Sequence, residues 1–147
     1  MENLNNNEYQ KFADKKVPKP TYLKNVILAF LVGGAICTIA QGVTNFLESQ
    51  GYNEDLCGMG TSIVMIFIGS LLTGLGVYDK IGKVGGAGAA VPITGFANSI
   101  VAPAMEFKRE GFIFGVAAKM FIIAGPVLVY GIGSSIIAGL LSILFKG

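Results

Sequence analysis

Three long apolar runs, separated by short polar segments, dominate the hydropathy pattern of this chain. They cover residues 26–47, 57–77 and 112–145, and Lys119 is the one charged residue inside them. An uncharged apolar stretch of about 20 residues is long enough, as a helix, to cross the roughly 30 Å hydrocarbon core of a bilayer. The pattern therefore predicts three transmembrane helices in an all-α, polytopic membrane domain over residues 26–147, and it excludes a soluble globular fold.

The charged residues outside these runs predict the orientation of the chain. Residues 1–25 form a polar, basic tail with five lysines, whereas residues 48–56 hold three acidic residues and no lysine or arginine. Cytoplasmic segments of membrane proteins are enriched in Lys and Arg. We therefore expect a cytoplasmic N-terminus, a 48–56 loop on the outside, and a return to the cytoplasm at Lys80 and Lys83.

Residues 84–105 form a fourth uncharged stretch of a different kind. Glycine and proline interrupt it at Gly85, Gly86, Gly88, Pro92, Gly95 and Pro103. Such residues break helices, and the backbone polar groups that they free are tolerated at membrane depth only inside protein or beside a water-filled cavity. We expect a re-entrant or broken helix here. Lys108 and Arg109, which follow, favour re-entry, and four full spans are the alternative.

The last apolar run is too long for one straight crossing, because the 34 residues from 112 to 145 would measure about 51 Å as a helix. We expect it to break at Gly125–Pro126, since proline removes a backbone donor. Small residues four apart predict close helix packing. They recur at Ala29 and Gly33, and again at Gly131, Ser135 and Gly139.

Composition excludes several classes of function. The chain has no histidine and only two cysteines, so neither a His/Cys metal site nor a Cys–His nucleophile is available. The net charge of +2 without a basic stripe argues against binding to nucleic acid. No catalytic motif is present. We expect neither an enzyme nor a bound cofactor or metal.

The polar, broken segment beside an intramembrane cation predicts a path for an anion. Half-helix N-termini offer unpaired N–H groups, and Lys119 would add a fixed positive charge. The candidate path residues are Pro92, Thr94, Gly95, Asn98, Ser99, Pro103 and Lys119. The structural alternative is that the polar side chains tie helices together, while Lys119 pairs with Glu106 or Glu110.

A second polar pair lies in the first predicted span. Gln41 and Asn45 are four residues apart, so they share one helix face. Polar side chains within a membrane usually face protein. We expect this pair to serve helix packing. Because three or four short elements cannot enclose an ion path alone, we also expect a homo- or hetero-oligomer.

Several strings of this sequence resemble the stage V sporulation protein A family of spore-forming bacteria. They include residues 29–37 (AFLVGGAIC), 91–99 (VPITGFANS), 106–112 (EFKREGF) and 115–121 (GVAAKMF), and the similarity runs from Lys19 to Leu141. Two paralogous types, AC and AE, share this membrane core. The lysine-bearing tail resembles that of the AC type.

The resemblance implies a multi-subunit assembly in the inner membrane of the spore. Such an assembly moves dipicolinic acid, largely as its calcium chelate, inward during sporulation and outward at germination, and the AC type is associated with mechanosensitive behaviour. The implied partners are the lipid bilayer and other subunits of the family, especially the AE type. The competing interpretation is a structural membrane subunit that scaffolds these partners without forming the pore.

Overall fold

A computed structural model describes residues 6–16 and 21–146 of the chain. Within these residues the regular structure is entirely helical. The described residues form seven α-helices: α1 (Asn6–Lys16), α2 (Tyr22–Ser49), α3 (Glu54–Gly74), α4 (Tyr78–Gly85), α5 (Ala87–Ala90), α6 (Ile93–Glu106) and α7 (Ala118–Lys146). A 3-10 turn (Phe107–Glu110) follows α6, and a π-helical turn (Phe112–Ala117) leads into α7.

Three helical segments are long and apolar enough to cross a membrane, as the sequence predicts. They are α2, α3 and the continuous helix Phe112–Phe145. The second begins three residues earlier than expected, because the Asn53 side chain caps its first turn by accepting a hydrogen bond from Leu56 N at 2.9 Å. Glu54 and Asp55 follow in that turn, where carboxylates interact favourably with the positive end of the helix dipole.

The stretch at 84–105 is a broken helix, which confirms that part of the prediction. Gly86 separates α4 from α5 with a φ of +50°, a conformation that side-chain-bearing residues rarely adopt. Pro92 then holds an extended backbone before α6 begins. The three pieces have 8, 4 and 14 residues, so each is too short to cross a bilayer alone.

Contacts between α6 and α3 show that the broken segment returns to the side from which it started. Gly69 lies against Thr94, and Thr73 bonds to Asn98, so the two helices run in the same direction. At their ends, Asp79 and Met105 line one shared cavity. Both ends of the segment therefore lie at the same end of the helix bundle, which favours re-entry over a fourth full span.

Small residues allow the hairpin of α4 and α5 to lie directly on α2. A Cβ on Gly88 would collide with the carbonyl oxygen of Ala29, and a Cβ on Gly85 would come within 2.6 Å of Val32. Gly33 lies beside the backbone of Gly88. The predicted close approach at Ala29 and Gly33 is confirmed, and its partner is the re-entrant hairpin.

The expected break at Gly125–Pro126 is wrong, because α7 continues through Pro126 to Lys146. In a membrane helix, neighbouring groups and small local adjustments can satisfy the backbone carbonyl that proline leaves without a donor. The irregular backbone lies instead at the start of the span, after Gly111 with its φ of +99°. Gly115 there sits against the Phe107 carbonyl. Among the residues that the structure describes, the predicted packing ridge of α7 has no neighbour, since Cβ atoms at Gly131 and Gly139 would meet open space.

Most of the surface of the spanning helices is exposed. In the most apolar part of α2, no residue is buried by the rest of the described chain. In the most apolar part of the last span, only 6% of the residues are buried. The buried residues instead concentrate where α3 meets the re-entrant segment. The centre of the fold is therefore this contact, and the outer helix faces are left for lipid or other chains.

Candidate functional site

A buried tyrosine holds the tip of the re-entrant hairpin in place. The hydroxyl of Tyr78 lies 2.8 Å from the carbonyl oxygen of Ala89 and 2.7 Å from Thr94 Oγ1. The carbonyl can only accept, so the single phenolic proton goes to Ala89 and the Thr94 hydroxyl donates to Tyr78. Tyr78 and Thr94 are each only 3% exposed. The two bonds fix α5 and the first turn of α6 to the start of α4.

Tyr78→Phe is expected to destabilise the protein by about 1–3 kcal/mol. The variant keeps the ring but leaves the Ala89 carbonyl and the Thr94 hydroxyl buried without their partner, and that desolvation is costly. Thermal unfolding of the purified protein in detergent measures the loss. Tyr130→Phe is the matched control, because Tyr130 is exposed and should tolerate the change. Equal melting temperatures for the two variants would contradict the anchoring role.

A second polar contact joins α6 to α3. Thr73 Oγ1 lies 2.7 Å from the carbonyl oxygen of Gly69 and 2.9 Å from Oδ1 of Asn98. Thr73 is buried and Asn98 half-buried. One hydroxyl carries one proton, so it cannot donate to both oxygens at once. A rotated Asn98 amide, donating to Thr73, would satisfy all three groups.

Between these two contacts lies a cavity of about 220 Å³. Its lining includes Tyr78, Gly95, Asn98 and Ser99. The Ser99 hydroxyl donates to the Phe96 carbonyl at 2.8 Å, and its oxygen keeps a lone pair free to accept. The cavity therefore combines amide, hydroxyl and backbone groups inside an otherwise apolar bundle, where polar groups of this kind orient small ligands.

The N-terminus of α6 lies at the tip of the hairpin. Pro92 precedes it, with no side-chain cap, and the Pro92 carbonyl accepts from the backbone N–H groups of Gly95 and Phe96. The first turn of a helix carries a partial positive charge. The half-helix N-terminus that the sequence predicts is therefore present. Thr94 is engaged by Tyr78, while Pro103 is half-buried within α6.

Lys119 contacts an aromatic ring. Its ammonium nitrogen lies 3.8 Å from the centroid of the Phe107 ring, which is a cation–π contact across the junction of α6 and the last span. The cavity lined by Asn98 and Ser99 does not include it. Lys83 lines a neighbouring cavity of about 400 Å³, and Gly86 lines both cavities.

Gln41 and Asn45 lie on the exposed side of α2. Nε2 of Gln41 donates to Oδ1 of Asn45 at 2.8 Å, and both side chains are exposed. They share a face, as predicted, but within the described chain that face packs against no other helix. The contact between α2 and α3 that involves polar side chains is instead the 2.8 Å hydrogen bond between Thr44 and Thr61.

The sequence pattern did not predict that Tyr78, Thr73 and Lys83 lie at or near the candidate site. Each lies outside the glycine- and proline-rich stretch, at the end of α3 or in the short α4. The sequence did contain an indication that Tyr78 and Lys83 lie outside the spans, because their segment is too short and too polar to cross a membrane. The proximity of Tyr78 to residues 89–94 depends on the hairpin returning to its own start, which the sequence pattern does not specify.

Comparison with known proteins agrees with the all-helical membrane architecture. Residues 25–141 match the family described as SpoVAC/SpoVAEB sporulation membrane protein. The chain belongs to this family. It is also 46% identical, over 147 residues, to Stage V sporulation protein AC of Bacillus subtilis (strain 168), an alignment that covers 99% of this chain and 97% of that protein. No solved structure matches the chain. The resemblance drawn from the sequence strings is confirmed, and the family supports a membrane protein of sporulation.

Proposed function

We propose that this chain is a channel subunit that moves dipicolinic acid, as its calcium chelate, across the inner membrane of the spore during sporulation and germination, opened by membrane tension. The observation that carries the proposal is the re-entrant hairpin with its polar cavity beside Asn98 and Ser99. A polar, broken hairpin at membrane depth carries a free-energy cost in a protein that only faces lipid, whereas in a channel it can line the path of a solute. The solute itself comes from what the family resemblance implies.

The chemistry of the cavity suits a small aromatic dicarboxylate. Carboxylate oxygens accept hydrogen bonds, and the Asn98 amide and the N-terminal turn of α6 offer donors. The apolar parts of Gly95 and Ala89 leave room for a flat ring. Lys83 and Lys119 lie outside this cavity, so either cation would attract the dicarboxylate at the approaches to the cavity rather than within it.

The path requires more than one chain. The described residues that line the cavity belong to α4, α5, α6 and the Gly86 turn, and the outer faces of the spans are exposed. We propose that further subunits, either more copies of this chain or other members of the family such as the AE type, complete the wall. A non-enzymatic role follows from the same proposal, because the cavity holds neither a nucleophile–base pair nor a pair of carboxylates.

The test is release of dipicolinic acid from sealed liposomes that contain only this purified chain. Release is followed by terbium luminescence, at constant osmolarity and after hypo-osmotic dilution that stretches the membrane. We expect release under tension well above that of protein-free liposomes. Failure to release under any tension, in the presence and absence of calcium, would overturn the pore role for this chain alone and favour the scaffolding alternative.

Lys119→Leu is expected to lower the release rate several-fold without loss of the protein from the membrane. We propose that this cation attracts the dicarboxylate to the entrance near the α6–α7 junction. The same lysine also packs on Phe107, so the charge and the contact must be separated. Insertion and oligomer size are measured beside the release rate.

Phe107→Leu provides the separation, because it removes the ring and keeps the charge. If the charge is what matters, Phe107→Leu retains release and Lys119→Leu loses it. Equal loss in both variants, accompanied by a lower melting temperature, would assign Lys119 to packing. Lys119→Arg, which keeps both charge and cation–π contact, should behave as the unmodified chain.

A further inference from the structure

The two faces of α2 differ in how their polar groups are satisfied. On the inner face, Ala29 and Gly33 contact the hairpin, and the Thr44 hydroxyl bonds to Thr61 on α3. The outer face carries Gln41 and Asn45 together with exposed Cys37, spaced four residues apart along one line. We refer to these three residues as the amide face.

Hydrogen bonding distinguishes the amide face from the hydroxyl side chains of Thr38, Ser62 and Ser135 in the spans. The hydroxyls of Thr38, Ser62 and Ser135 each donate to the carbonyl four residues earlier in their own helix, so lipid can cover them. Gln41 and Asn45 make one bond with each other, and no other hydrogen bond reaches either amide in the described part of the chain. One N–H and the carbonyl of Gln41, and both N–H groups of Asn45, still need partners.

The depth of Gln41 makes those open groups costly. It lies six residues before Leu47, the end of the apolar run, which places it about 9 Å inside that end. Hydrocarbon offers no hydrogen-bond partner at this depth, and an unsatisfied amide there carries a free-energy cost of about a few kcal/mol. The amide face is therefore expected to be covered by protein.

We propose that the amide face is the site at which a second copy of this chain docks in the membrane. Copies inserted in the same orientation place Gln41 and Asn45 at the same depth. Each side chain carries both donors and an acceptor, so the face complements itself about a two-fold axis along the membrane normal. Beside it, Cβ atoms at Gly34 and Gly42 would meet open space, which lets a second helix backbone approach closely.

This inference does not depend on which solute crosses the membrane. The docking contact uses the outer face of α2, whereas the cavity is lined by residues of α4, α5 and α6. Docking and conduction can therefore be tested apart, and failure of either proposal leaves the other standing.

Native Cys37 serves as the reporter of docking. It is exposed one turn from Gln41, while Cys57 is buried. Membrane-permeant copper–phenanthroline is applied to the purified full-length chain in liposomes, and we expect a disulfide-linked product at twice the 15.4 kDa mass of one chain. The Gln41→Leu/Asn45→Leu double variant should reduce its yield at least fivefold. Association is also measured by energy transfer between labelled chains as the protein is diluted with lipid. We expect the dissociation constant of the double variant to be at least tenfold higher than that of the unmodified chain.

The matched control moves the cysteine to another exposed face. Cys37→Ser with Ile137→Cys places the thiol on α7, and we expect little cross-linking there. Equal yields for the two positions, or a yield unchanged by the double variant, would overturn the proposal. A chain that stays monomeric alone, and cross-links only when an AE-type subunit is added, would overturn it as well. Gln41→Asn keeps an amide and should retain dimerisation, which separates loss of the contact from loss of folding.

Discussion

Gly88→Ala is expected to leave little correctly folded protein in the membrane. A methyl group at this position would collide with the carbonyl oxygen of Ala29 in α2. A backbone carbonyl within a helix cannot rotate away as a side chain does, so α2 and the hairpin must separate. Overpacking of this kind costs about 1–3 kcal/mol, and more where the neighbour is rigid. With a total stability of about 5–15 kcal/mol, a small domain tolerates such a loss poorly.

The measurement is the fraction of Gly88→Ala protein that elutes as a folded species in detergent, together with its thermal unfolding. Gly131→Ala is the control, because its Cβ would meet open space and alanine favours the helix. We expect the control to be as stable as the unmodified chain or slightly more so. If Gly88→Ala matched the control in yield and melting temperature, the direct contact of the hairpin on α2 would be wrong.

The three spans could be predicted from the sequence because a bilayer imposes a simple requirement. Each span needs about 20 uncharged apolar residues, and the runs at 26–47, 57–77 and 112–145 meet it. The error of three residues at the start of α3 arose because hydropathy does not register the Asn53 cap. Capping satisfies backbone donors at the helix end and extends the helix into polar sequence.

The inside of the re-entrant segment was only partly predictable. Glycine and proline identified the broken helix, and Thr94, Gly95, Asn98 and Ser99 do lie at or beside the polar cavity. The anchoring by Tyr78 was not foreseen, because a bond across 16 residues depends on the path of the hairpin. A tertiary contact between residues that are distant in sequence leaves no periodic pattern from which it could be predicted.

Pro126 and Gln41 show two ways in which a prediction from the local sequence depends on the surroundings of the residue. Proline was expected to break the last span, yet α7 continues through it, since neighbouring groups and small local adjustments can satisfy the freed backbone carbonyl in a membrane helix. The rule that polar residues face protein predicted packing for Gln41 and Asn45. Within residues 6–16 and 21–146 their face has no partner, so whether the rule holds depends on chains that a single sequence does not reveal.

Modification of a cysteine at position 99 is expected to block release of dipicolinic acid at least tenfold. Ser99 lines the cavity beside Asn98 and is half-buried, and Ser99→Cys changes the side chain by one atom. If the cavity is part of an aqueous path, a negatively charged methanethiosulfonate reagent reaches this thiol and fills the space. The experiment uses a Cys37→Ser background in liposomes under tension. Cys57 is retained because it is buried.

Two comparisons make the result specific to the path. Ile137→Cys in the same background places a thiol on the exposed side of α7, where surrounding lipid excludes a charged reagent, so release should not change. A reducing agent should remove the reagent from position 99 and restore release. If the thiol at position 99 stayed unmodified while tension-driven release continued, solute would be crossing elsewhere. The hydrogen bonds of Tyr78 would then serve to hold α4, α5 and α6 together, and the Thr73–Asn98 contact to hold α6 against α3, rather than to line a path.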